Sequence, residues 1–337
     1  MTNSKRAGTY LRDKDYSDME SAAVEMEGPV HVPVMAEEVT KYLVTRPEGI
    51  YVDATLGLGG HTKSILEATG CKSLVIGLDV DEEAMSLARE ALSKYNGHVI
   101  FKNSNFSNID KVLEGLEIKE VDGIVADLGM SSYQLDSSER GFSFMRDEPL
   151  DMRMDPRLRF TAYDLVNEMG ADEISRVLRM YGEEKWAPKI ARRIVEKRKT
   201  NPIKTSAELA ELVSQAIPVK FHPPRTHPAT RTFQALRIAV NNELENINEF
   251  LQKAVNALKS GGRLVVISFH SLEDRIVKNF FQGLSSPCIC PPGLPVCGCG
   301  KKKILEILTR SPIQPGEEEI ASNPRARSAK MRVGEKI

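Results

Sequence analysis

The sequence lacks any apolar run long enough to cross a membrane. In its 337 residues, stretches such as residues 264–269 fall far short of the about 20 residues that a spanning helix needs. Residues 1–30 carry six acids and four bases and no apolar segment, which argues against a secretory signal and an Arg-rich transit peptide. Cysteine is scarce: an odd count of five favours reduced thiols over a disulfide framework. We therefore expect a cytoplasmic protein with no membrane partner.

The chain also lacks a strong overall charge, but its basic residues are unevenly distributed. The formal net charge is −1, yet residues 185–204 hold eight bases and one acid. Residues 220–237 hold four bases and no acid, and residues 321–337 hold five bases and one acid. Any one such run is explained by a solvated helix face or tail as well as by contact with an anionic partner. Three of them in a nearly neutral chain favour an anionic polymer as partner.

Short apolar strands alternate with helical patterns over most of the chain. Residues 1–28 are polar and predict a disordered extension, whereas strand-like segments occur at 49–55, 73–80, 98–102, 121–128 and 263–269. A helical pattern before the last of these ends in a Gly261-Gly262 stop, and residues 304–309 and 329–333 look like a terminal strand pair. Alternation of this kind predicts an α/β fold whose mostly parallel sheet is covered by helices on both faces.

Residues 141–230 depart from this alternation and show helical patterns only. Thr205 with Glu208 is a capping box that predicts the start of one helix. In the preceding helix, basic side chains recur on the face opposite the apolar one, at Lys189, Arg192, Arg193 and Lys197. An exposed basic stripe suits phosphates. We predict that residues 141–230 form a helical domain inserted into an α/β domain made of residues 29–140 and 231–337.

The polar residues at the predicted strand ends indicate a cofactor site, because parallel sheets bind ligands at the carboxyl ends of their strands. Four signals fall there: Asp53 with the turn Gly57, Gly59 and Gly60; Asp79, 19 residues after Gly60; Asn105-Phe106; and Asp127, followed by Ser131 and Ser132. Each has an ordinary alternative: tight packing for the glycines, a helix cap near Asp81 for Asp79, a core position for Phe106 and a helix cap for the serines. Together they predict an adenosine-containing cofactor.

The glycine spacing distinguishes between such cofactors. The turn has the pattern G-x-G-G, with an acid four residues before its first glycine, where a nicotinamide site usually shows G-x-G-x-x-G. The chain has no G-x-x-x-x-G-K-[ST] motif for ATP. This pattern favours S-adenosylmethionine, whose methionine amine needs an anionic or carbonyl partner.

Long motifs along the chain resemble the bacterial RsmH (MraW) family of S-adenosylmethionine-dependent methyltransferases. They stand at residues 31–35 (HVPVM), 53–62 (DATLGLGGHT), 127–135 (DLGMSSYQL), 140–144 (RGFSF), 150–155 (LDMRMD), 227–237 (HPATRTFQALR), 268–275 (SFHSLEDR) and 323–328 (NPRARS). The resemblance covers nearly everything after residue 30. It implies a class I methyltransferase with a Rossmann-like sheet and a helical insertion. It also implies methylation of the exocyclic amino group of a cytidine in the decoding region of 16S ribosomal RNA.

The resemblance also assigns roles to single residues. It implies cofactor contacts at Gly59, Gly60, His61, Asp79, Phe106, Asp127 and Gln134. We expect Asp127 to act as an acceptor that orients the amine or the cofactor, with Ser131 and Ser132 assisting. The candidates for RNA contact are Arg140, Arg153, Arg192, Arg193, Arg231 and Arg237, although Arg231 and Arg237 suit ion pairs with Asp151, Asp155 or Glu243 equally well. His270 suits a structural hydrogen bond better than a general base.

Four of the five cysteines cluster in a segment rich in proline and glycine. Cys288-x-Cys290 is followed by Cys297-x-Cys299, whereas zinc ligands usually occur as C-x(2–4)-C. We expect no metal in the chemistry. A structural zinc, a reduced loop and a disulfide all remain open for these four residues.

Two other functions remain open at this stage. One is a methyltransferase for a different substrate on the same fold, and the other is a ribosome assembly factor that binds S-adenosylmethionine without catalysis. The expected RNA substrate is 16S RNA within the small ribosomal subunit, and the oligomeric state, monomer or homodimer, is not determined.

Overall fold

The computed structural model describes residues 33–136, 139–224, 226–288, 290 and 298–337, all within one compact unit, His31–Ile337. The predicted extension at residues 1–28 lies outside the described residues. The strands are β1 (Ile50–Asp53), β2 (Leu74–Asp79), β3 (Val99–Asn103), β4 (Val121–Asp127), β5 (Leu258–Ser268), β6 (Leu305–Ile307) and β7 (Lys330–Lys336). The predicted strands are all present, with ends shifted by a few residues.

Helices fill the intervals between these strands. They are α1 (Ala36–Leu43), α2 (Gly60–Ala68), α3 (Glu82–Ala91), α4 (Ile109–Gly115), α5 (Ser132–Asp136), α6 (Ala162–Glu168), α7 (Ala171–Gly182), α8 (Ala187–Arg198), α9 (Ser206–Ala216), α10 (Thr230–Asn241), α11 (Glu243–Ala257), α12 (Ser271–Ser285) and α13 (Glu317–Ser322). In the described part of the chain, no helix is long and apolar enough to cross a bilayer.

The strands form a mixed sheet in the order β3-β2-β1-β4-β5-β7-β6. The pairs from β3 through β5 are parallel, and β7 is antiparallel to both β5 and β6. This confirms the mostly parallel sheet and the terminal strand pair. The chain passes from β1 to β2 on one side and later adds β4 on the other side of β1. The β1–β4 boundary is therefore the switch point at which α/β folds bind ligands.

Alternate residues of each strand supply the two cores beside the sheet. One face, with Val52, Ile124 and Val266, packs with buried residues of α4, α11 and α12. The other face, with Val75 and Val125, packs with buried residues of α1, α2 and α3. Strands buried on both sides need continuous apolar sequence, as in parallel sheets generally. Two covered faces leave the strand ends as the accessible edge of the sheet.

The prediction of a helix stop at Gly261-Gly262 is wrong. Helix α11 ends at Ala257, and both glycines lie within β5. Gly261 has φ +78°, and the pairing of β4 with β5 shifts from Val121–Leu258 to Gly123–Arg263. The two glycines therefore absorb an irregularity in the strand, a second common use of glycine that local pattern does not distinguish from a helix end.

Residues 141–230 contribute helices and no strand of the sheet within the described part of the chain. The capping box at Thr205 is present, since the Thr205 hydroxyl accepts from the Glu208 N–H and the Glu208 carboxylate accepts from the Thr205 N–H. These helices share a core that continues through α10 as far as Val240. The division into domains at residues 140 and 230 stays a prediction.

Candidate active site at the ends of β1 and β4

A cavity of about 420 Å³ opens at the carboxyl ends of β1, β2 and β4. This volume lies within the usual range for small-molecule sites, roughly 300–1000 Å³. The cavity wall includes Gly57, Gly60, His61, Asp79, Phe106, Asp127, Ser131 and Gln134. Residues from each of the four sequence signals are thus brought to one cavity. Gly59 and Asp53 are not part of its wall.

The glycine turn forms the cavity rim between β1 and α2. Gly57 adopts φ +51°, and its N–H donates to the Asp79 carboxylate at 2.7 Å. A Cβ on Gly60 would stand 2.9 Å from Pro33, so a side chain there would have to displace the proline. Gly59 has φ +84° and faces Leu92, the residue after α3; a Cβ added to Gly59 would lie 2.7 Å from the Leu92 side chain. Gly59 thus shapes the turn from behind, while Gly57 and Gly60 border the cavity.

Asp79 ends β2 and fixes two backbone segments. Its two carboxylate oxygens accept from the Gly57 N–H at 2.7 Å and from the Asp81 N–H at 2.9 Å. Burial raises the pKa of the Asp79 carboxyl to about 6, although both N–H donors oppose the shift. The helix cap is a different residue, because Asp81 accepts from the Glu83 N–H at the start of α3. Asp79 also lines the cavity, and its contact with a cofactor stays a prediction.

Asp53 turns away from the cavity, which differs from the expectation that it would face a cofactor amine. It is completely buried at the end of β1, and its carboxylate accepts from the Thr62 hydroxyl at 2.8 Å and from the Thr55 N–H at 3.3 Å. Burial raises the pKa of the Asp53 carboxyl against these donors and against His61. Asp53 acts on the site by holding the glycine turn and the start of α2 in place.

His61 and Asp127 face each other across the switch point. The His61 Nε2 lies 3.5 Å from Asp127 Oδ2, an ion-pair distance longer than a normal hydrogen bond. Burial alone would lower the pKa of His61, but the carboxylates of Asp127 and Asp53 outweigh it and raise that pKa. Asp127 Oδ1 is buried and has no hydrogen-bond partner among the described residues. Within the described chain, Asp127 Oδ1 is thus an unpaired buried acceptor beside the cavity, and the Asp127 side chain as a whole is 23% exposed.

Phe106 and Ser131 both line the cavity, and each also has the ordinary structural role that the sequence allowed, in the core and as a helix cap. Phe106 lines the cavity and also makes an edge-to-face contact with Phe250, with ring centroids 5.2 Å apart. The Ser131 hydroxyl accepts from the Gln134 N–H at 3.2 Å, as a helix cap does. The Ser132 side chain lies outside the described residues.

A buried network behind the cavity joins Gln134 and Arg140 to Asp81. The Asp81 carboxylate accepts from Gln134 Nε2 at 3.1 Å and from Arg140 Nη1 at 2.8 Å. Arg140 also pairs with Glu83 at 2.8 Å, and its side chain is 12% exposed. Sequence analysis placed Asp81 only at the start of a predicted helix. Its partners are more than fifty residues away in the chain, so no local pattern signals the network.

The remaining arginine candidates occupy different environments. Arg153 forms a two-contact ion pair with Asp151, at 2.6 and 2.7 Å. Arg192 and Arg193 are exposed on α8, as are Lys189 and Lys197, which gives the predicted basic face. Arg231 is exposed and donates to the Glu183 carbonyl at 3.1 Å. Exposed cations suit phosphate contacts better than those already paired, so α8 is the strongest of these candidates.

Arg237 has the structural role that the sequence left as one alternative. It forms a two-contact ion pair with Glu243 at 2.9 Å, and both side chains are about nine-tenths buried. His270 caps α12, with Nδ1 accepting from the Glu273 N–H at 3.3 Å and Nε2 lying 3.1 Å from the Glu273 carboxylate. These contacts bear out the structural interpretation of His270.

The sequence missed several residues in the cavity wall. They are Asn241, Asn242, Glu243, Asn246, Phe269, Glu273, Asn323 and Arg325. Asn241 accepts from the Met154 N–H at 2.7 Å and donates to the Met152 carbonyl at 2.7 Å, which ties α10 to the segment after Arg140. The run Asn241-Asn242, where Asn242 has φ +50°, is the one local signal that marked a break between two helices here.

Known proteins resemble this chain over most of its length. A model of the MraW methylase family matches residues 29–337. The chain is 51% identical over 307 residues to ribosomal RNA small subunit methyltransferase H of Clostridioides difficile strain 630, covering 91% of this chain and 99% of that protein. Its identity to the protein of the same name from Caldicellulosiruptor saccharolyticus is 54% over 307 residues, with the same coverage. Among solved structures, an rRNA methylase from Streptococcus thermophilus aligns with a TM-score of 0.40 and 12% identity, covering 90% of this chain and 93% of that chain.

Proposed function

The chain belongs to the MraW methylase family, and we propose that it methylates the exocyclic amino group of a cytidine in the decoding region of 16S ribosomal RNA. It is an S-adenosylmethionine-dependent methyltransferase of small-subunit ribosomal RNA. Over 91% of the chain, relatives that share about half of its residues carry that activity in their names. The cytidine amine and its position follow from the motif resemblance.

The cavity has the features that S-adenosylmethionine requires. We propose that Asp79 accepts from the ribose hydroxyls, that Phe106 lies against the adenine, and that the Gly57–Gly60 turn passes beside the methionine portion. The supporting observations are the fixed Asp79 carboxylate and the position of Gly57 and Gly60 in the cavity wall. His61 and Gln134 complete the wall. When bound, the cofactor supplies a methyl group on a positively charged sulfur.

Asp127 is the proposed orienting acceptor for the target amine. The lone pair of a cytosine amine is delocalised into the ring, so an acceptor aimed at its N–H bonds favours the nucleophilic form. Asp127 Oδ1 is buried at the cavity wall without a partner in the described chain, while Oδ2 faces His61. A buried, fixed acceptor of this kind stabilises positive charge that develops on the amine far better than water does.

The helices of residues 141–230 are proposed to hold the RNA. Their exposed basic face on α8 offers Lys189, Arg192, Arg193 and Lys197 to phosphates. A cytidine must leave its stack to reach a cavity at the strand ends, and a loop in single-stranded RNA makes this less costly. We propose the assembled small subunit as the substrate and the cytoplasm as the compartment.

The observation that carries this proposal is the Asp127 carboxylate, which lines the switch-point cavity and has one oxygen without a partner among the described residues. The test uses small subunits from a strain that lacks this gene. They are incubated with the protein and radiolabelled S-adenosylmethionine, and the labelled nucleoside is identified after digestion. We expect label in cytidine methylated on its amino group. Label in another nucleoside would overturn the target, and no label with cofactor binding intact would favour an assembly factor.

A further inference from the structure

Three cysteine thiols converge between α12 and the edge strand β6. The sulfur atoms of Cys288, Cys290 and Cys299 all lie within 4.8 Å of one another, and all three residues are half-buried. Cys297 lies outside the described residues. None of the three lines the cavity at the strand ends. The cluster is therefore separate from the methyltransferase site.

The spacing of the sulfur atoms fits a tetrahedral metal site. Cys288 Sγ lies 3.7 Å from Cys299 Sγ. Zinc–thiolate bonds of about 2.3 Å at tetrahedral angles place two sulfur ligands about 3.8 Å apart. A disulfide would require a separation of about 2.05 Å. The distance excludes a disulfide between these two residues, and without a bound metal ion it corresponds to an S–H···S hydrogen bond from Cys299 to Cys288, so the two sulfurs already stand at the spacing that a shared zinc ion requires.

The surroundings of the sulfurs suit thiolates. The Cys290 N–H donates to Cys288 Sγ at 3.3 Å, a contact of the kind that orients and stabilises a metal-bound sulfur. Three consecutive lysines, Lys301, Lys302 and Lys303, follow the last cysteine, so the local charge opposes the negative charge of the ligands. Each C-x-C pair is one residue shorter than the shortest usual zinc spacing. The fold nevertheless brings Cys299 close to Cys288 and Cys290, which precede it by about ten residues.

We propose that Cys288, Cys290 and Cys299 bind a structural zinc ion. The ion would cross-link the end of α12 to the segment that enters β6, where the Ile304 N–H also donates to the Leu284 carbonyl at 2.9 Å. β6 is one of the two edge strands of the sheet and only three residues long, so a constraint at its start would stabilise it. The thiols lose their protons on binding, and zinc undergoes no redox change.

Metal content tests the proposal directly. The full chain is purified without chelators and without a histidine tag, and its metals are measured by mass spectrometry. We expect about one zinc per chain in the unaltered protein and in Cys71→Ser, the matched control, because Cys71 lies outside the cluster. The triple variant Cys288→Ser/Cys290→Ser/Cys299→Ser should retain only a trace.

A second measurement does not depend on how the variants fold. Cobalt titrated into the unaltered, metal-stripped protein should give strong visible bands of tetrahedral geometry with thiolate-to-cobalt charge transfer, and zinc should abolish them. A chelator should also lower the Tm of the unaltered protein. Zinc-free protein without a tetrahedral cobalt spectrum would overturn the proposal. So would iron with a cluster absorption spectrum, or a disulfide detected by thiol counting.

Discussion

His61 Nε2 lies 3.5 Å from Asp127 Oδ2, although one residue belongs to a helix and the other to a strand of the sheet. His61 lies in the first turn of α2, and Asp127 is the last residue of β4. The contact occupies one carboxylate oxygen and leaves Oδ1 without a partner among the described residues. We infer that His61 holds Asp127 in place and that the Asp127 carboxylate, which lines the cavity, orients the target amine.

Replacing this acceptor should impair catalysis more than cofactor binding. We expect Asp127→Asn to lower kcat by roughly 10²–10³-fold, the usual cost of removing one fixed electrostatic group at a reacting centre. The matched control is Asp110→Asn, which makes the same change on α4 outside the cavity wall. Single-turnover methylation of small subunits gives the rate, and calorimetry gives the cofactor affinity. Equal rates for the two variants would contradict the role of Asp127.

Cofactor affinity should depend on pH through Asp79. Its raised pKa of about 6 means that the carboxylate predominates above pH 6 and the neutral acid below it. A neutral acid accepts less well from two hydroxyls, so the Kd for S-adenosylmethionine should rise about tenfold from pH 7.5 to pH 5.

Asp79→Asn is the control for that pH dependence. It should bind weakly at both pH values, because its side chain does not titrate. Calorimetry or fluorescence quenching measures the affinities. A similar tenfold loss in Asp79→Asn would assign the effect to another group, such as His61.

The basic face of α8 should govern RNA affinity and its response to salt. Arg192→Ala/Arg193→Ala should weaken small-subunit binding and reduce the slope of log K against log salt by about 1 for each phosphate that is no longer neutralised. Lys111→Ala/Lys119→Ala removes the same charge from the region of α4, outside the helical insertion. Filter binding at several salt concentrations compares the two variants. Identical slopes would show that Arg192 and Arg193 make no phosphate contact.

The buried Arg237–Glu243 pair should show strong non-additivity. Arg237→Met leaves an unpaired buried carboxylate and should lower the free energy of unfolding by about 3–5 kcal/mol. Arg237→Met/Glu243→Leu removes both charges and should cost clearly less. Denaturant titrations provide the comparison. A double variant as unstable as the sum of its single variants would argue against a direct pair.

Local sequence predicted the strands and the polar residues at their ends. Apolar runs determine where strands lie, and parallel pairing then gathers Asp79, Phe106 and Asp127 at one edge. The glycine turn was also predicted from the sequence. Gly57 and Gly59 take positive φ angles there, which glycine adopts more readily than other residues. Which residues of the turn face the cavity could not be predicted from the sequence: Gly59 faces Leu92 instead.

Short-range pattern by itself determined the order of elements, the glycine turn and the amphipathic faces of the helices, since all of these depend on neighbours within a few positions. Only the tertiary structure decided that Asp53 is buried behind the cavity, that Arg140 pairs with Asp81, and that Glu243 and Asn241 border the site. These outcomes depend on contacts between segments distant in the chain. Such contacts form only when packing closes the loops between them, and no local periodicity encodes which distant partner a charged side chain will meet.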